Sequence, residues 1–512
     1  MTDVPVDRRL PGGPGALLGR LLQPARQAIA DHPRAAAAAL GAWTLLLSGL
    51  ALRSPALVIG VLLAGVLGVL VLRRPEAALC VLIFLIPFHL AIYDVLRARA
   101  HLNVGNVTLW KDVLLAALFV RGLVRQLAAG RRFNQMFVLG DRGVFAYGLL
   151  LALIASVSPS FNSAGYALEI VGEGPLLFLT IVLLRPSRRA LRAILWAFLA
   201  SAGVTGITAV IEQAGPKASF DPWFGGAAPQ ALSSFFLGDG SYRSGAFFTS
   251  PLQLAFFGAG SAALATGAAL ATRGWVRALA GLVAALSIAG VVVSFTRSGY
   301  VGGGIGVVVV LTLGVRRVGL RLALLGMVSV VALSAVALSV ASGDQHLSHA
   351  GEGDAHLNAL QADMNLFAYQ PLGYGLGSVD AISQRFDRNS GFATESTLLA
   401  KALQGGIEEL LAYLAILFWV AMRLRAARRA AMERGDGEAA ALCAGALGVM
   451  WAVFIAGLFL GIEALPVELL LWGAPAIALG MVATPVTAAG PARRLEWRGS
   501  LRRRWQRLAA SA

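Results

Sequence analysis

Apolar and polar positions alternate along this chain on the scale of whole helices rather than single turns. Apolar runs of about 17 to 25 residues, long enough to cross a bilayer as helix, recur along its length. They fall at about 35–52, 55–72, 76–93, 107–124, 143–159, 166–184, 190–211, 251–272, 277–295, 299–315, 320–341, 396–421, 440–462 and 466–484. The pattern predicts an all-α polytopic integral membrane protein with about 12–14 transmembrane helices. One long polar stretch interrupts it, residues 342–395, and is expected to form a large extracytoplasmic (periplasmic) loop. Within that loop Leu357, Leu360, Met364 and Phe367 recur at helical spacing, which predicts a short amphipathic helix over Ala355 to Gln370, ended by Pro371.

The same alternation divides the chain. Residues 1–34 form a cytoplasmic tail, 35–240 an N-terminal transmembrane bundle, and 241–341 helices that carry two arginine motifs. The loop at 342–395 is followed by C-terminal transmembrane helices at 396–484 and a basic cytoplasmic tail at 485–512.

Composition agrees with a bilayer as solvent. Of the 512 residues 57% are hydrophobic and 14% charged, against roughly a quarter charged in soluble domains. The net charge of +16 changes the picture only through its distribution. Arginines cluster between apolar runs, at Arg73-Arg74, Arg131-Arg132, Arg185 to Arg192, Arg316-Arg317 and Arg423 to Arg434. That is the positive-inside signature; it places both termini in the cytoplasm of a bacterial-type inner membrane. Anionic membrane lipid is the natural partner of such clusters. No basic patch is interleaved with aromatics, so no nucleic-acid partner is expected. Cys80 and Cys443 both fall in apolar helices and imply no disulfide framework.

Candidate chemistry gathers on the face that should be poor in cations. Arg243 lies in GSYRSGAFFTSP and Arg297 in SFTRSGYVGGG, both at expected outer ends of spans. Either can be a snorkelling arginine at a helix end. Either can instead bind phosphate, whose oxygens a guanidinium matches two at a time. Ser298, Gly299 and Gly302 to Gly304 would let a ligand approach the backbone, and the helix start would offer amides to an anion.

Glu395 sits where the long loop re-enters the membrane. It is read either as a first-turn carboxylate behind a Thr394 cap or as a general base toward an acceptor hydroxyl. His346, His349 and His356 lack a third ligand in register, so no metal is expected, and any of them could accept a proton instead. The turn PLGYGLGS at Pro371 to Ser378 follows no strand, which excludes a dinucleotide fold, and no cofactor is implied. Glu169 and Glu173 stand one turn apart, and Lys111 with Asp112 begins another span; ionisable residues inside a membrane usually face a cavity.

The order of these motifs resembles the O-antigen ligase and O-antigen polymerase-like family of bacterial polytopic membrane glycosyltransferases. Arg-Ser-Gly precedes a span (Arg243 to Gly245), and Thr-Arg-Ser-Gly follows the next-but-one (Thr296 to Gly299). A large outer loop then ends in Pro371 to Gly377, and a helix entrance carries Glu395-Ser396 with Gly405-Gly406 downstream. The resemblance covers roughly residues 240 to 420. It implies a metal-independent, inverting enzyme that polymerises or transfers undecaprenyl-diphosphate-linked oligosaccharide units, alongside polysaccharide-assembly proteins. Arg243 and Arg297 would hold the diphosphate. Many members place a histidine where this chain has Glu395, so the base is either Glu395 or a loop histidine such as His356. A transporter or flippase of the same lipid-linked glycans is the alternative from another class.

Overall fold

The computed structural model describes residues 66–92, 110–137, 139–215, 242–248, 250–315, 318–319, 350–379, 394, 396–461 and 464–484. Among these there is no β-strand, and the longer helices are α1 (Pro75–Leu85), α2 (Trp110–Ala128), α3 (Leu139–Ser156), α4 (Phe161–Leu184), α5 (Arg188–Ala214) and α6 (Pro251–Ala271). They continue as α7 (Gly274–Val293), α8 (Arg297–Gly314), α9 (Ala350–Tyr369), α10 (Thr397–Glu433), α11 (Gly437–Leu458) and α12 (Leu465–Ala483). Nine helical segments among the described residues are long and apolar enough to cross a membrane, α1 with its continuation to Ile92 counting as one. Each of the nine coincides with an expected span. The expected spans 35–52 and 320–341, the start of 55–72, and both tails lie outside the described residues.

The core of the bundle is where helices approach most closely. α6, α11 and α12 are buried over most of their length, and the seams between helices are lined by small residues. A Cβ on Gly267 of α6 would lie 2.6 Å from Gly445 Cα of α11. On α8 a Cβ at Gly306 would meet Gly448 O of α11 at 2.8 Å. Small residues permit such contact because lipid tails provide no hydrophobic drive between helices, leaving close packing to hold them. This corrects the expectation for Gly299 and Gly302. A Cβ on the first would run into Ala255 of α6, and one on the second into Ala452 of α11. Their smallness serves helix packing, while Gly304 alone of the three successive glycines faces open space.

The two ends of the bundle differ. At one end arginines reach the last carbonyls of neighbouring helices: Arg125 Nη1 donates to Leu184 O of α4 (3.0 Å), Arg434 Nη2 to Val482 O of α12 (3.0 Å) and Arg277 Nε to Thr272 O just after α6 (3.0 Å). A cation on a helix C-terminus satisfies an orphan carbonyl and complements the helix dipole. Arg434, from one of the clusters that mark topology in the sequence, is thus also a cap of this end. The opposite end carries the loops 242–248, 293–297 and 371–379.

Candidate functional site

At the loop end, Arg243 lies across the turn that carries Arg297. Its Nε donates to Ser294 O (2.9 Å) and its Nη2 to Thr296 Oγ1 (2.8 Å). The backbones are joined one residue on, where Ser244 N donates to Val293 O (3.0 Å). Two arginines 54 positions apart in sequence are therefore brought to one turn. Arg297 is exposed and occupies the first position of α8, after the Thr296 cap. A cation at a helix N-terminus opposes the dipole, the reverse of the arrangement at the other end. An anion bound there would relieve it, drawing on guanidinium and orphan amides together.

Glu212, in the last turn of α5, fixes this geometry. Its carboxylate is buried and accepts from Tyr242 Oη, from Ser244 Oγ (2.5 Å) and from Ala246 N (2.6 Å). Three donors from one five-residue stretch thus converge on a single carboxylate. Ala246 adopts φ +51° and Phe295 φ +49°, the left-handed region that side chains disfavour. Of the three described non-glycine residues with positive φ, two flank the two arginines. Such strain persists only where surroundings over-determine it, and it collects at functional sites. In the sequence Glu212 was only the edge of a loop; no local pattern marks a carboxylate whose partners lie about 30 residues downstream.

A second polar group lies toward the same end. Lys111 Nζ, buried on α2, donates to Asp112 Oδ1 (3.1 Å) and to Glu169 Oε1 (2.5 Å) and Glu173 Oε1 (2.9 Å) of α4. The three carboxylates each place an oxygen within 4.8 Å of the others, and the Lys111 ammonium bonds to all three. Glu173 Oε2 is buried with no hydrogen-bond partner among the described residues. Beside the Arg243 loop, Phe88, in the short turn of helix after α1, meets Phe247 edge-on at 4.8 Å. His89, next in sequence, has its Nδ1 2.5 Å from Ile86 O.

The third feature is a break in α10. Gly405 and Gly406 leave helical geometry, Gly406 with φ +72°. The glycine-dense turn fills the break. Tyr374 N donates to Leu403 O (2.6 Å), Gly375 N to Gln404 O (2.9 Å), and Ile407 N to Pro371 O (3.0 Å). Backbone groups freed by a break inside a membrane must find partners, and here the re-entrant turn supplies them. Gly373, Gly375 and Gly377 all have positive φ, and a Cβ on any of them would strike α10 or the Ser158–Ser163 corner. Leu376 N donates to Ser158 Oγ (2.7 Å) and Ser163 Oγ to Gly377 O (2.5 Å). The PLGYGLGS string is a plug rather than a ligand loop. Lys401 and Glu409, both fully buried, stand astride the break 3.8 Å apart. The nearby cavity lined by Thr397, Tyr413 and Glu468 is about 10 Å³, room for one water and too small for a sugar.

The loop helix differs from its expectation. It starts earlier, at Ala350, and ends at Tyr369. Leu357 and Met364 are exposed, whereas Asp363 is buried and Leu366 and Phe367 pack toward Val379, Ala400 and Leu403 of the re-entry region. Docking against α10, rather than a solvent boundary, selects the buried side. His356 lies in this helix with its side chain outside the described residues, as do His346, His349 and Glu395 altogether. The cap of α10 is Ser396, whose Oγ accepts from Leu398 N (3.3 Å) and donates to Gly457 O (3.2 Å). Ser396 thus takes the capping role expected of Thr394.

Fold and site define a multi-pass helical membrane protein with a built polar surface at one end of its bundle. No family model matches the chain. No curated protein matches it either.

Proposed function

We propose that this chain is a membrane glycosyltransferase that polymerises or transfers undecaprenyl-diphosphate-linked oligosaccharide units on the outer face of the inner membrane, without a metal and with inversion at the sugar carbon. The observation that carries the reading is the Arg243 guanidinium laid across the Ser294–Thr296 turn beside Arg297. Fixed cations at that point stabilise the negative charge that develops on a leaving diphosphate. Glu212 holds the loop in place before substrate arrives, so little reorganisation accompanies the reaction. Glu395 or His356 would take the proton of the acceptor hydroxyl from the opposite side of the sugar. Exclusion of water protects the activated donor from hydrolysis.

Arg243→Ala and Arg297→Ala should each abolish polymer while leaving protein levels intact, with carrier-linked single units accumulating on the outer leaflet. Polymer of normal length in either variant would overturn the reading. A transporter or flippase of the same glycans draws support from the broken α10, since transporters bind at discontinuous helices. Under that reading the variants trap single units on the cytoplasmic leaflet, so their sidedness separates the two.

A further inference from the structure

The arginine-rich end carries a feature that the glycan reading does not use. A groove of about 290 Å³ opens there between α5, α6, the start of α7 and α11. Leu195, Ala268 and Leu442 form an apolar floor, and Trp196 stands in its wall. Arg192, Arg273 and Glu438 stand around the same groove.

The charges at this mouth are not equivalent. Glu438 is already compensated: Arg192 Nε and Nη2 donate to its two oxygens (2.6 Å each), and Arg188 Nη2 adds a third contact (3.0 Å). Arg188 also pairs with Asp436 at 2.6 and 2.7 Å. Two arginines therefore balance two acids, and Arg273 is the surplus cation. Arg273 is exposed and makes no side-chain cap at the start of α7. Arg192 is half exposed and keeps Nη1 beyond its bonds to Glu438. Trp275, two positions past Arg273, is 75% exposed, and tryptophan at a helix end marks the headgroup level of a bilayer.

An occupant must therefore offer an anion at the mouth and hydrocarbon over the floor. A soluble phosphate would leave the floor wet; a zwitterionic lipid would bring an ammonium toward the surplus guanidinium. We propose that the groove binds one anionic phospholipid, its phosphate on Arg273 and Arg192 Nη1 and an acyl chain over Leu195, Ala268 and Leu442. Basic recesses between transmembrane helices recognise anionic headgroups in this manner. The proposal is independent of the glycan reading, because it concerns the other end of α5, where Arg192 lies about 30 Å from Glu212 along a helix rising 1.5 Å per residue.

The test uses the full chain, delipidated in mild detergent and titrated with phosphatidylglycerol or phosphatidylcholine, read by native mass spectrometry and thermal unfolding. Phosphatidylglycerol should bind at one preferred site and raise Tm. Arg273→Gln, which removes no hydrogen bond or ion pair among the described residues, should weaken that binding about fivefold, the effect of one arginine near an anionic headgroup. Arg425→Gln, an exposed arginine of α10 outside the groove, should bind as the parent does. Equal binding by Arg273→Gln, an equal response to phosphatidylcholine, or displacement of the lipid by glycerol phosphate alone would each overturn the proposal.

Discussion

The two ends of this bundle use the same kinds of residue for opposite purposes. At the arginine-rich end Arg125, Arg277 and Arg434 sit on helix C-terminal carbonyls, where dipole and charge agree. At the loop end Arg297 begins a helix, where they disagree, and Arg243 donates to neutral acceptors in a turn bent into left-handed geometry. The first arrangement stabilises the helices as they stand. The second sets a cation where the helix dipole opposes it, in a loop held by the Glu212 clamp with Ala246 and Phe295 in left-handed geometry. Cations that make a fold comfortable are topology; cations that a fold must hold in place point to a ligand.

The comparison of the ends is sharpened first by setting a buried, ion-paired cation of the loop end against an exposed cap of the other. Lys111→Met leaves three clustered carboxylates without their ammonium, and should cost about 3–5 kcal/mol, with Glu173→Gln in the same chain recovering part of it. Arg434→Gln removes one exposed cap at the other end and should cost less than about 1 kcal/mol. Unfolding of both variants in detergent measures the difference, and equal losses would show that the buried Lys111 ammonium matters no more than an exposed helix cap.

Glu212→Ala comes next. It strands buried donors of Tyr242, Ser244 and Ala246, at about 1–3 kcal/mol for each that finds no other partner. Because the clamp positions Arg243, polymer should be lost together with stability, whereas Arg243→Ala should lose polymer with stability nearly unchanged. Gly375→Ala, which places a Cβ 2.7 Å from Pro159 Cδ at φ +101°, should cost about 1–3 kcal/mol by strain and overpacking. Limited proteolysis after Tyr374 would report the plug leaving the α10 break.

The smallest effect is electrostatic. The Arg188 guanidinium beside Asp436 holds its carboxyl below the usual carboxylate range. The stability this contributes is present above the ordinary carboxylate pKa and is lost as pH falls through the depressed one. Asp436→Asn should therefore lower Tm at neutral pH and converge with the parent under strong acid; parallel curves down to low pH would remove the pair as a stabilising contact.

The apolar periodicity by itself determined that this chain is a multi-pass helical bundle and where its described spans lie, because hydrocarbon thickness sets helix length without reference to neighbours. The short RSG and TRSG motifs singled out Arg243 and Arg297. What the sequence could not determine was company. That Glu212 clamps the Arg243 loop, that Lys111 gathers Asp112, Glu169 and Glu173, and that the glycine turn fills a gap at Gly405–Gly406 all depend on residues tens to hundreds of positions apart. Local propensity also misplaced the α10 cap and the buried side of α9, because Ser396 is fixed by α11 and α9 by its docking on α10. Only the tertiary structure decides such matters, since hydrogen bonds and packing act over a few ångströms whatever the separation along the chain.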